Sequence, residues 1–355
     1  MSGGWQRVGR GKAGAADDDA TASASARLER PLGQGDALAR EVAAARRLRL
    51  PHALIVEGLR GGGKSMVMRW LAAALLCPSE LDEDEPCGGC RTCARVASEQ
   101  HPDLHVLHRA RDEDDVKEHK LSYYVIKVDQ IRAAQETLAR HAVEGRARVL
   151  LIADADAMEE EAQNALLKTL EEPGVATFLL LEATRPEQLL STVRSRARRL
   201  RVLPLPEATL RSEFFRRLPA AADRLETALP LARGSLGLLL AAVTEQTVQL
   251  HDLVRQVLDA RNCLRPIQIA RQVLHGVTER RLEMVAARTF LWLLRAELQH
   301  RLSALADAAD DSYGGPSAEP WTTWLEHTLT AERDLQLQIP PEQTLAAFLV
   351  AFRRG

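Results

Sequence analysis

Aromatic residues make up only 4% of the 355-residue chain, too few for a surface whose main work is stacking single-stranded bases. Net charge is almost absent: 47 Lys and Arg stand against 49 Asp and Glu, a formal −2. That balance excludes a globally basic, histone-like binder of nucleic acid, though not a local basic patch inside an assembly. Apolar runs such as 178–181 fall far short of the roughly 20 residues a membrane-spanning helix needs, so no membrane segment is expected. The opening MSGGWQRVGRGKAGAADDD lacks the apolar stretch of a secretory signal, and export is not expected. Cysteine is scarce, and four of the five crowd between 77 and 93. In a chain this long that argues against a disulfide scaffold and for a metal site in a reducing compartment. The fifth, Cys263, stands alone and suits a small core hydrophobe.

At about 150 residues per domain the length predicts two or three domains. Residues 1–27, rich in Gly, Ala, Ser and Asp, bury too little to offset the entropy of ordering and are expected to form a disordered tail. Over 28–204 strand and helix patterns alternate. Helices are expected at 36–48 with Asp36 as N-cap, at 64–76, from Asp129 as cap to about 142, and at 159–172 before Pro173; Pro186 opens a short one. Strands are expected at 53–56, 104–107, 149–152, 178–181 and 200–203, with a charged, solvated insertion at 112–120. Such alternation implies an α/β domain, a parallel sheet covered on both faces. Past Pro206 only helical periodicity appears, broken by Gly234, Pro266 and the loop 313–316. This divides the remainder into a small helical domain, 205–245, and an all-α C-terminal domain, 246–355.

Gly58-Leu59-Arg60-Gly61-Gly62-Gly63-Lys64-Ser65 matches G-x-x-x-x-G-K-[ST] between a strand and a helix. The glycines let backbone N–H groups curl toward phosphate oxygens, and the helix N-terminus adds partial positive charge. Lys64 would reach the β and γ phosphates of ATP and the Ser65 hydroxyl would bind Mg²⁺; a Gly-rich turn or a relic loop that no longer binds is the alternative. The metal-shell acid expected after a later strand is Asp154. The next position, where a water-activating Glu is usual, holds Ala155, and Asp156 is one residue too far along, where it can equally cap a helix. Binding is therefore better supported than hydrolysis.

Cys77, Cys87, Cys90 and Cys93 are spaced C-x9-C-x2-C-x2-C. Two-residue gaps turn successive thiolates toward one centre, and four sulfurs close a tetrahedral Zn²⁺ shell with no position left for water, a structural zinc module at 77–93. An iron–sulfur cluster or reduced free thiols compete with zinc, although the ferredoxin spacing ending in Cys-Pro is absent.

The phosphate loop, the four-Cys insert, the string Asn164-Ala165-Leu166-Leu167-Lys168-Thr169-Leu170-Glu171-Glu172-Pro173 and then Ser195-Arg196 together resemble bacterial clamp-loader subunits, AAA+ proteins of the DNA polymerase III holoenzyme. Motifs carry the resemblance over about 30–245. It implies an AAA+ P-loop domain with a zinc-binding insert, then a helical lid domain (205–245) and a collar domain for oligomerisation (246–355). By the same resemblance Arg196 is an arginine finger acting in trans on a neighbour's ATP, suited by its planar permanent charge. An ordinary surface Arg among Arg194, Arg198, Arg199 and Arg201 is the alternative. Thr184 is a γ-phosphate sensor or a helix-capping Thr, and the lid's sensor Arg would fall near Gly237, where it is missing. Ala155, Gly237 and a retained Arg196 together resemble the delta prime type of subunit rather than the tau/gamma motor type, which stays as the alternative beside another autonomous P-loop ATPase. The resemblance implies a hetero-oligomer with tau/gamma and delta subunits that loads the sliding clamp onto primed DNA. It also implies no membrane partner and a cytoplasmic, nucleoid-associated replisome location. Such a subunit belongs to the holoenzyme without being its polymerase and turns over ATP weakly.

Overall fold

A strand buried on both faces reads as a short apolar run, and the alternating elements between 35 and 201 follow that rule. In chain order they are α1 (Gly35–Arg46), β1 (Ala53–Glu57), α2 (Lys64–Leu76), α3 (Arg91–Ala97), β2 (Leu104–Leu107), α4 (Val128–Leu138), β3 (Arg148–Ile152), α5 (Glu160–Glu171), β4 (Thr177–Ala183), α6 (Ser191–Arg194) and β5 (Arg198–Arg201). The computed structural model describes residues 27–79, 84–109, 125–139, 142–144, 146–259, 265–277, 280–308, 319–337 and 339–354. The expected tail (save Arg27), the charged insertion 112–120, Cys263 and the loop 313–316 lie outside those residues.

The five strands are all parallel, in the order β2-β3-β4-β1-β5. Successive side chains of a strand point to opposite faces, and β1 shows the consequence. Leu54 and Val56 join one core with Val42 of α1, Leu71 and Leu75 of α2, and Val96 of α3. Ala53 and Ile55 join the other, with Ile131 of α4 and Leu166 and Leu170 of α5. Each fully buried aliphatic side chain contributes roughly 1.5–3 kcal/mol. Because the strands are parallel, all their C-terminal ends lie along one edge of the sheet, the usual place for a ligand.

Among the boundaries that differ from expectation, three have a plain physical reason. The N-cap of α1 is Gln34, whose side chain bonds the Leu32 carbonyl and both backbone groups of Leu203; Asp36 lies in the first turn, where its charge still favours the helix N-terminus. The N-cap of α4 is Lys127, and Asp129 again falls inside the first turn. β5 begins two residues earlier than the apolar pattern suggests, because an edge strand needs little apolar surface. Only Leu200 of its four residues is buried, while Arg198 and Arg199 pair with Glu41 and Glu57 at 2.6 Å each.

The chain separates into two compact units, Met1–Pro206 and Glu207–Gly355. The second is helical throughout its described residues: α7 (Glu207–Arg217), α8 (Leu225–Ala232), α9 (Leu236–Ala242), α10 (Glu245–Asp259), α11 (Pro266–Val273), α12 (Arg280–Ala308), α13 (Glu319–Gln336) and α14 (Pro341–Arg354). Phe290, Leu294 and Leu298 of α12 are fully buried, and Trp324 of α13 meets Phe352 of α14 with ring centroids 4.8 Å apart.

Candidate functional site

The phosphate loop is shaped by two glycines in particular. A Cβ on Gly58 would stand 2.8 Å from the Val202 carbonyl oxygen, so only glycine lets the loop leave β1 beside the exit of β5. Gly63 is the N-cap of α2 at φ +92°, a left-handed conformation that disfavours any side chain. It offers no capping side chain, which leaves the first N–H groups of α2 suited to an anion. Lys64 opens that helix and is buried, with its ammonium drawn back against the sheet. It donates to the Leu59 carbonyl at 2.9 Å and to the Thr184 hydroxyl at 3.0 Å, and it faces the Glu182 carboxylate at 3.5 Å. Ser65 lies half-buried in the first turn.

The structure thus brings Lys64 and Thr184 together, and adds Glu182, which the sequence analysis passed over. Burial pushes the Glu182 carboxyl pKa up; Lys64 pulls it down, and Asp154 and Asp156 push it up further. A lone acid in the apolar run Leu179-Leu180-Leu181-Glu182-Ala183 was the available signal. Asp154, in a left-handed conformation at φ +52°, is engaged by Arg109 at 2.7 Å. Asp156 accepts the N–H groups of Thr184 and Arg185 at 3.2 and 2.8 Å, so it braces the exit of β4. Ala155, at the water-activating position, is fully buried. Arg196 is exposed; its guanidinium pairs with Glu171 at 2.7 Å and donates to the Thr192 carbonyl at 3.0 Å.

At the opposite end of α2 four sulfurs converge. The Sγ atoms of Cys77, Cys87, Cys90 and Cys93 lie within 4.8 Å of one another, with Cys77–Cys87 at 3.7, Cys77–Cys90 at 3.8 and Cys87–Cys93 at 3.9 Å. A tetrahedron of sulfurs at a metal–sulfur distance of about 2.3 Å has edges of about 3.8 Å, so the four thiols fit a tetrahedral thiolate-binding metal ion. Cys77 is the C-cap of α2, while Cys90 is the N-cap of α3, its sulfur accepting the Cys93 N–H. The neighbouring Cys93 thiol pulls the Cys77 pKa down, against burial and with help from the Ser79 hydroxyl; Cys93 is pushed up in turn.

Behind the sulfurs stands a support that the sequence analysis did not find. The fully buried Arg46 donates to the Cys77 carbonyl at 2.8 Å and to the Ser79 carbonyl at 2.8 Å, and the Ser79 hydroxyl lies 3.1 Å from the Cys77 sulfur. Arg146 donates to the same Cys77 carbonyl at 2.9 Å and to the Arg46 carbonyl at 2.8 Å.

Residues 33–206 match the family model described as DNA polymerase III, delta subunit. The DNA polymerase III subunit delta' of Escherichia coli is 34% identical over 207 residues, 58% of this chain and 59% of that protein. The delta' subunit of Bacillus subtilis is 38% identical over 157 residues, 44% of each chain. A DNA polymerase III subunit gamma/tau of Mycobacterium tuberculosis is 31% identical over 168 residues, 47% of this chain and 27% of that one. A solved DNA polymerase III gamma subunit-related protein of Thermotoga maritima superposes with a TM-score of 0.47 at 16% identity, covering 88% of this chain and 99% of that one. The chain therefore spans 59% and 44% of the length of these two delta' relatives. Through the matched residues 33–206, which hold the phosphate loop, the four cysteines and the Leu-Leu-Lys-Thr-Leu-Glu-Glu string, the chain is similar to DNA polymerase III delta' subunits.

Proposed function

We propose that this chain acts as the delta prime subunit of a DNA polymerase III clamp-loader complex and helps place the sliding clamp on primed DNA. In that complex it partners tau/gamma and delta subunits in a cytoplasmic, nucleoid-associated replisome. Its catalytic contribution is Arg196, offered to the nucleotide of a neighbouring subunit. Its own phosphate loop (Gly58, Gly61, Gly62, Gly63, Lys64, Ser65), with Asp154 and Thr184, holds ATP and Mg²⁺ but turns ATP over poorly. Cys77, Cys87, Cys90 and Cys93 hold Zn²⁺, which supplies structural cross-linking and no open coordination position. Residues 205–245 serve as the lid and 246–355 as the collar.

One observation supports this division of labour above the others. The position of the water-activating acid is a fully buried Ala155, whereas Arg196 sits exposed on the surface of its unit. Without that acid a bound nucleotide lacks the group that polarises the attacking water. The identity to a gamma/tau subunit and the intact phosphate loop favour a second reading, a motor-type ATPase.

ATP turnover separates the two. The purified chain alone is expected to show negligible turnover, and Arg196→Ala should lower turnover of the reconstituted complex on the order of 10³-fold at the affected site. Robust turnover by the isolated chain, or an unchanged rate in the Arg196→Ala complex, overturns the proposal.

A further inference from the structure

Lys64 already has a protein-made set of acceptors. An ammonium group carries three N–H donors. Here they face the Leu59 carbonyl, the Thr184 hydroxyl and the Glu182 carboxylate. Of these three only Glu182 carries charge, and both side chains of the pair are withdrawn from water, Lys64 at 2% and Glu182 at 16% exposure. At such a distance in a poorly solvated setting, an opposite charge holds an ammonium strongly.

We propose that Glu182 sets the nucleotide affinity of the phosphate loop by competing with nucleotide phosphate for the Lys64 ammonium. This rests on the reading that the loop takes a nucleoside triphosphate. Two physical effects act in the same direction. Phosphate must draw Lys64 away from its carboxylate, and a carboxylate that stays nearby repels the incoming phosphate charge. Asp154, itself paired with Arg109, and Asp156 lie close enough to affect Glu182, so three acids stand at the β3 and β4 exits. Burial outweighs the pull of Lys64 on the ionisation of Glu182, so the pair is held at a cost to the charged carboxylate.

The test is titration of the full-length chain with a fluorescent, non-hydrolysable ATP analogue in the presence of Mg²⁺, for the wild type, Glu182→Gln and Glu182→Ala, with Lys64→Ala as control. Glu182→Gln keeps the shape and removes the charge, and it should bind about ten- to a hundredfold more tightly than the wild type. Glu182→Ala should change in the same direction, and Lys64→Ala should abolish binding. A merely structural Glu182 would move thermal stability and leave affinity unchanged or weaker. Equal or weaker binding by both Glu182 variants, with a binding wild type, overturns this inference alone. No binding by any of the proteins overturns the nucleotide reading and the inference with it.

Discussion

The two ends of α2 carry two candidate ion-binding arrangements built on opposite plans. At the N-terminal end a cation, Lys64, is already matched by an acid of its own chain. At the C-terminal end four sulfurs converge at near-tetrahedral edge lengths, and the guanidinium groups of Arg46 and Arg146 hold the Cys77 carbonyl. On the proposed readings, the difference separates a site whose ligand would compete for its binding group from one whose thiols are already gathered for an ion. A helix C-terminus normally leaves carbonyls in need of donors, and the two arginines meet that need at Cys77.

The comparison breaks first at the thiols. Cys93→Ser removes a fully buried ligand, so bound zinc should fall from one per chain to none by metal analysis, and the melting temperature of the first unit should drop by roughly 10 °C or more. Full zinc occupancy with an unchanged melt would remove Cys93 from the proposed ligands. Next comes the support. Arg46→Met deletes the buried donors to Cys77 and Ser79 and should cost about 3 kcal/mol in a urea titration, while weakening zinc roughly 10- to 100-fold in a chelator competition. If zinc affinity is unaltered, the arginine serves the fold and not the metal.

The smallest effect sharpens the other end of the helix. The Glu182 pKa lies above its ordinary value of 4.5, so its ionisation removes stability as the pH rises through the raised value. Glu182→Gln should therefore melt above the wild type at neutral pH, and the gap should close once the pH falls below the ordinary carboxylate range. A gap that is constant across this pH range would show that the charge of Glu182 plays no part in stability.

Much of the first unit was legible because its signals are local. The phosphate loop, α2 and the central strands appear where glycine spacing and apolar runs put them. Errors gathered where tertiary contacts override local preference. Gln34 caps α1 in place of Asp36 because its side chain also reaches Leu203, and β5 is held by ion pairs that an apolar pattern does not report. Asp154 stands after β3 as expected, yet its carboxylate is taken by Arg109, a residue without any motif of its own.

The order of residues alone determined which chemistry is available: a glycine-rich loop ending in Lys64 and Ser65, and four thiols at knuckle spacing, because both depend on neighbours within a few positions. Only the folded chain decided what each group faces. Thr184 meets Lys64 across 120 positions, and Arg146 meets Cys77 across 69. Such pairings exist because parallel strands carry distant segments to one edge of a sheet, and no local spacing encodes them.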